Sequence, residues 1–137
     1  MCAVPEDSRF GTLHESQALS VGAPDGARVQ VLLRLQSGSM AVFELEPGQV
    51  STPVRHRSVE ELWYVLSGED EMWRRDAVGE AVVSLQPRLC LSIPRGTDFQ
   101  FRCLGGATLR AVAVTLPPWP GADEALPVTG RWRSTAT

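Results

Sequence analysis

At 137 residues, 43% of them apolar, the chain has the length of one ordinary domain and can bury a substantial core. Its formal charge is −3, with both signs mixed along the chain; this excludes the basic footprint that nucleic acid or an anionic membrane would demand and leaves small neutral or cationic partners. It contains no lysine, so no mechanism passing through a lysine Schiff base is open to it.

In chain order, the start MCAVPEDSRF lacks the basic segment and apolar stretch of a secretion signal, and no apolar run approaches the roughly 20 residues that span a bilayer. A cytoplasmic protein without membrane contact is expected. Residues 1–27, polar and rich in Gly and Pro around FGTLHES, read as an irregular N-terminal arm. From there, short runs with alternation or β-branched and aromatic enrichment recur about every ten residues, and helical periodicity is hard to find. Strands are expected at 28–35, 40–45, 61–66, 71–75, 81–85, 89–93, 99–104 and 109–116, separated by the turn signals SGS, PGQ, SGED, VGE, QP, PRGT and LGG. Such a series suits a jelly roll or Greek-key barrel, because closure removes exposed sheet edges. The tail 117–137, PPWPGADEALPVTGRWRSTAT, is too proline-rich to continue a sheet and is expected to pack on the barrel, with Trp119 and Trp132 docked outside as a clasp. The organisation is therefore an all-β barrel over 28–116 between an arm and a tail. Cys2, Cys90 and Cys103, odd in number and widely spaced, read as unpaired thiols.

The segment PGQVSTPVRHRSVEELWYVLSG, residues 47–68, resembles the first sequence motif of the cupin superfamily, which runs Gly, five residues, His-x-His, three or four residues, Glu, six residues, Gly. Gly48, His56, Glu61 and Gly68 fall in register, while Val54 stands at the first histidine position. The second motif runs Gly, five residues, Pro-x-Gly, two residues, His, three residues, Asn, and aligns with residues 88–103. There Pro94 and Gly96 match, but Arg88, Phe99 and Cys103 replace the Gly, His and Asn. The phrases VEELWYVLSG and AVAVTLPPWPG are similar to those of small bacterial single-domain cupins. The resemblance implies a cupin-type jelly-roll β-barrel and, by analogy, a homodimer joined through a sheet face.

In that family the two motifs bring three histidines and the glutamate to one divalent metal, a set suited to Zn, Fe, Ni or Mn. Here two of the three imidazole positions hold Val54 and Phe99. His56 and Glu61 alone fall short of the three protein ligands that a tightly held transition metal usually needs. His14 and Cys103 are the foremost candidates for a recruited third ligand; Asp98 and Glu60 have the wrong strand parity. Alternation along a strand turns Trp63 and Val65 to the same side as Glu61, so with Val54, Phe99, Phe101 and Cys103 they are expected to line an apolar cavity. Arg55 and Arg57 flank His56 and should face outward.

The leading expectation is a small-molecule-binding cupin for an apolar or aromatic metabolite. In it His56 and Glu61 serve binding or metal-independent proton chemistry of an isomerase, cyclase or lyase. The first alternative is a metal-dependent oxygenase or isomerase with a recruited ligand. The second is a non-enzymatic sensor or structural cupin, its cavity closed by Val54, Trp63, Phe99 and Phe101.

Overall fold

The computed structural model describes residues 10–136, and Cys2 lies outside them. Alternating apolar and polar residues generate eleven short strands: β1 (Leu19–Gly22), β2 (Arg28–Arg34), β3 (Ser39–Leu45), β4 (Val54–His56), β5 (Glu60–Ser67), β6 (Asp70–Arg75), β7 (Glu80–Leu85), β8 (Cys90–Ile93), β9 (Asp98–Arg102), β10 (Leu109–Leu116) and β11 (Ala125–Pro127). The described residues contain no α-helix; two 3₁₀ turns, at Glu15–Gln17 and Ala122–Glu124, complete them.

The strands form two antiparallel sheets, one in the order β1-β2-β3-β10-β5-β8 and the other β11-β4-β9-β6-β7, the two-layer arrangement of a jelly roll. β5 illustrates the physical logic. Its odd-numbered members Glu61, Trp63 and Val65 are buried while Leu62, Tyr64 and Leu66 are exposed, because a strand sends successive side chains to opposite faces. Gly68 ends β5 at φ 110°, a conformation costly for other residues, and a Cβ there would lie 3.1 Å from the Cα of Leu109. The apolar side chains of both inner faces, among them Leu45, Met72, Leu85, Phe101 and Leu109, meet in one core.

Every expected strand is present, with ends shifted by a residue or two, and three more exist. β1 lies in the arm, β4 in the motif between Pro53 and Arg57, and β11 in the tail. The tail thus does join a sheet, contrary to expectation. Its strand is short and sits at the sheet edge beside β4, with Pro127 as its last residue, where the missing N–H does no harm.

The rest of the tail crosses the outer face of the second sheet. Gln100, fully buried on β9, donates from Nε2 to the carbonyls of Ser51 and Trp132 and accepts at Oε1 from the N–H groups of Arg131 and Trp132. Arg102 stacks over the Trp132 ring at 4.2 Å. Trp132 is the external clasp that the sequence suggests; Trp119 is not.

Candidate functional site

β4 turns Val54 and His56 inward and Arg55 outward to Asp98, and Arg57, just past the strand, reaches out to the carbonyl of Asp123. Across the gap, β5 turns Glu61 inward. Trp63, two residues on and therefore on the same side, donates from Nε1 to Glu61 Oε1 at 2.7 Å. The other oxygen, Oε2, lies 3.2 Å from His56 Nδ1, yet the pair lacks hydrogen-bond alignment and both atoms are buried without a partner. Two edge-on aromatic contacts hold the imidazole, with Phe99 at 5.1 Å and Trp119 at 5.2 Å between ring centres.

Burial disfavours charge on both groups. It lowers the His56 pKa from 6.5 to about 4, against the pull of the Glu124 carboxylate. It raises the Glu61 pKa from 4.5 to about 7, with the Trp63 hydrogen bond opposing and the Asp25 charge adding to the rise. Glu124 is itself fixed from the β4–β5 loop by the N–H groups of Ser58 and Val59 and the Ser58 hydroxyl.

His56 lies on the wall of a cavity of about 330 Å³ between the β1–β2–β3 end of the first sheet and the tail. Val21, Val29, Met40, Phe43, Val54 and Trp119 make its lining largely apolar. Polar groups are few. They are His56, Asp25, and the Ser39–Thr115 hydroxyl pair, whose Ser39 Oγ also accepts from the Trp119 N–H. Arg34 stands exposed at the rim. Asp25 lies in the turn between β1 and β2. Its Oδ1 accepts from the Ala27 N–H at 3.0 Å, its carbonyl accepts from the Thr52 N–H, and burial raises its pKa from 3.8 to about 6.

Of the residues expected to line a cavity, Val54 does so beside His56, and Glu61 stands behind His56. Trp63, Val65, Phe99, Phe101 and Cys103 belong to the packed core instead, with Trp63 stacked edge-on against Phe101 at 5.1 Å. The wall comes from β1, β2, β3 and the tail. Sequence reasoning missed Asp25, Ser39, Thr115 and Trp119 there. Asp25 falls within the stretch that reads as an irregular arm, and PPWPG, though singled out, gives no hint that its indole turns inward.

The family's metal does not fit these residues. Val54 and Phe99 oppose each other in register at two imidazole positions, each 2% exposed. Among the described residues no three His, Cys, Asp or Glu side chains form a group that could hold a metal ion. His14 is exposed and caps the first 3₁₀ turn, accepting from the Ser16 N–H. Cys103 donates to the Ala107 carbonyl, and burial pushes its thiol up to about 11. Asp98 faces outward between Arg55 and Arg75, and Glu60 is exposed. Neither candidate for a recruited third ligand is brought into a ligand set with His56 and Glu61.

A family model described as Cupin domain matches residues 41–115, more than half of the chain. No curated protein matches the sequence. Among solved structures, the chain is similar to KdgF from Halomonas sp., at 15% identity and TM-score 0.65 over 76% of this chain and 92% of that one. It is similar to a His-to-Gln variant of Streptomyces PAC13 solved with uridine, at 12% identity and TM-score 0.68 over 86% and 90%. It also matches CapF, a capsular polysaccharide assembling protein from Staphylococcus aureus, at 15% identity and TM-score 0.66; 81% of this chain is covered, but it spans only 32% of CapF. At such identities the likeness is one of fold.

Proposed function

The chain belongs to the Cupin domain family, and from that premise we propose that it binds a small apolar or aromatic molecule and moves a proton on it with His56 and Glu61, without a metal. The observation that carries this reading is the pair of buried, unpartnered atoms His56 Nδ1 and Glu61 Oε2, 3.2 Å apart beside an apolar cavity. Two ionisable groups are costly in such a place unless they are satisfied or used. The cavity volume lies within the roughly 300–1,000 Å³ of ordinary ligand pockets, and an apolar lining with few polar groups is their usual character. PAC13, similar in fold over most of its length, was solved with a small molecule, which adds support.

The chemistry asks little of the protein. Nδ1 is turned toward Glu61, so exchange with a ligand falls to Nε2. With Nδ1 beside an ionised Glu61, Nε2 takes a proton from an acidic C–H bond of the ligand, and the electron pair delocalises into an adjacent carbonyl. The carboxylate stabilises the imidazolium, or takes its Nδ1 proton, until Nε2 returns a proton to the same or a neighbouring carbon. The outcome is an isomerisation, or an elimination when a leaving group departs instead. A carboxyl that titrates near neutrality suits the relay, since general acid–base catalysis works best with pKa values close to the operating pH.

Ligand-observed NMR in deuterium oxide, with a panel of neutral aromatic and alicyclic ketones, tests both halves. Wild type is expected to bind members of the panel and to catalyse deuterium exchange beside the carbonyl, and the H56Q/E61Q double variant to bind but not exchange. Wild type that binds none, or a double variant that exchanges as fast as wild type, rejects the reading.

A further inference from the structure

Asp25 is 5% exposed, on the wall of the same cavity, and no motif accounts for it. Among the described residues its hydrogen-bond partners outside the strand ladders are backbone: the Ala27 N–H on Oδ1 and the Thr52 N–H on its carbonyl. Among the described residues no arginine or histidine pairs with the carboxyl, in contrast to Asp98, which holds both Arg55 and Arg75. A buried carboxylate without a counter-charge is among the costliest features a fold can keep.

The other charged or titratable groups near it do not supply one. From β4, His56 is held neutral by burial; from β5, Glu61 is a second acid; from β2, Arg34 is exposed at the rim, where water screens it. Further along, Glu124 adds negative charge near His56. The cavity therefore carries an uncompensated negative charge inside an apolar wall, next to a pair of polar atoms without partners.

Resting on the small-molecule reading above and narrowing it, we propose that the cavity selects a ligand with a compact apolar or aromatic body and a protonated nitrogen, with Asp25 as the counter-ion. The nitrogen supplies the charge that the fold omits, and the Ser39 and Thr115 hydroxyls on the same wall can accept its remaining protons. Asp25 is ionised at neutral pH, with its pKa near 6, and the cation would hold it so. Binding should therefore strengthen as pH rises through that value.

Calorimetry with three probes of matched shape decides the matter: 2-phenylethylamine, 2-phenylethanol and 3-phenylpropionate. Wild type at pH 7 is expected to bind the amine at least about tenfold more tightly than the alcohol, and the carboxylate least. Asp25→Asn keeps Oδ1 as acceptor for the Ala27 N–H, so the turn survives; it should abolish the preference for the amine and leave the alcohol within about twofold of wild type. In wild type the amine affinity should rise between pH 5 and 7.5 by roughly tenfold, a rise that persists in Glu61→Gln and vanishes in Asp25→Asn. Equal binding of amine and alcohol, preference for the carboxylate, or an amine affinity unmoved by pH overturns the proposal. The pH series in Glu61→Gln leaves Asp25 as the acid of this pair that titrates between pH 5 and 7.5, so it decides even if Asp25→Asn does not fold. If the alcohol binds without preference for the amine, the cation reading fails alone. If no probe binds and the ketones also fail, both readings fall.

Discussion

Trp63 Nε1 and Glu61 Oε1 are joined by a 2.7 Å hydrogen bond between side chains two residues apart on one strand, and this bond turns the other carboxyl oxygen toward His56. The indole acts as a positioning group. It also packs against Phe43 and Phe101, so its ring is fixed on both sides.

Trp63→Phe keeps much of the aromatic packing and removes the donor. Leaving Glu61 Oε1 unpartnered is expected to cost about 1–3 kcal/mol of stability and to raise the Glu61 pKa further, because the lost bond favoured the charged form. Urea denaturation and a carboxyl-carbon NMR titration measure the two effects.

Stability should depend on pH in a way that separates Glu61, Asp25 and His56. Glu61 and Asp25 have raised pKa values, so each contributes stability fully at low pH. That of Glu61 is lost as pH rises from 4.5 through about 7, and that of Asp25 as pH rises from 3.8 through about 6. His56, with a lowered pKa, opposes them: the folded state holds fewer protons than the unfolded between about 4 and 6.5, so its contribution grows with pH there. Above 6.5 Glu61 acts alone. Wild type should lose stability between pH 6.5 and 7, and Glu61→Gln should flatten that limb in denaturation midpoints taken across the range.

Rebuilding the lost histidines should create what the family's motif implies. V54H/F99H places imidazoles at the two opposed positions in β4 and β9, beside His56 and Glu61. Tag-free V54H/F99H protein is expected to retain about one Zn, Ni, Fe or Mn per chain and wild type none, by elemental mass spectrometry; a chelator should lower the melting temperature of V54H/F99H alone. Stoichiometric metal in wild type would contradict the site described above.

Gln100→Leu tests the tail's hold on the second sheet. It deprives the Ser51 and Trp132 carbonyls and the Arg131 and Trp132 N–H groups of their partner at a fully buried position, at an expected cost of about 2–4 kcal/mol. Thermal unfolding and proteolysis near Arg131 would register it. The cavity lies on the other side of that sheet, so binding at temperatures below the transition should be unchanged.

The barrel was legible in the sequence because burial on one face imposes a period of two. VEELWYVLSG announces β5, and the same parity correctly assigns Glu61 and Trp63 inward and Arg55 outward. Short strands were not: β4 and β11, at three residues each, are too brief to show alternation, and their partners lie far along the chain. Parity also says which side chains point inward, but not whether they meet other side chains or empty space. Trp63, Val65, Phe99 and Phe101 point inward and meet core, whereas the open volume lies under β1–β3, where PDG and PPWPG supply Asp25 and Trp119. Loop residues reach such a place through the whole fold, with no local rule to announce them.

Trp119, Ala122 and Ala125 all line the cavity, and all follow β10, the strand seated between β3 and β5 in the middle of its sheet. The central strands can therefore pair and the core close before the cavity has its last wall. Until residues 119–125 arrive, the Val21 and Phe43 side of the cavity lies open as a greasy trough. The stickiest stage of folding thus comes before that segment docks, and a ligand already present could be enclosed as it settles.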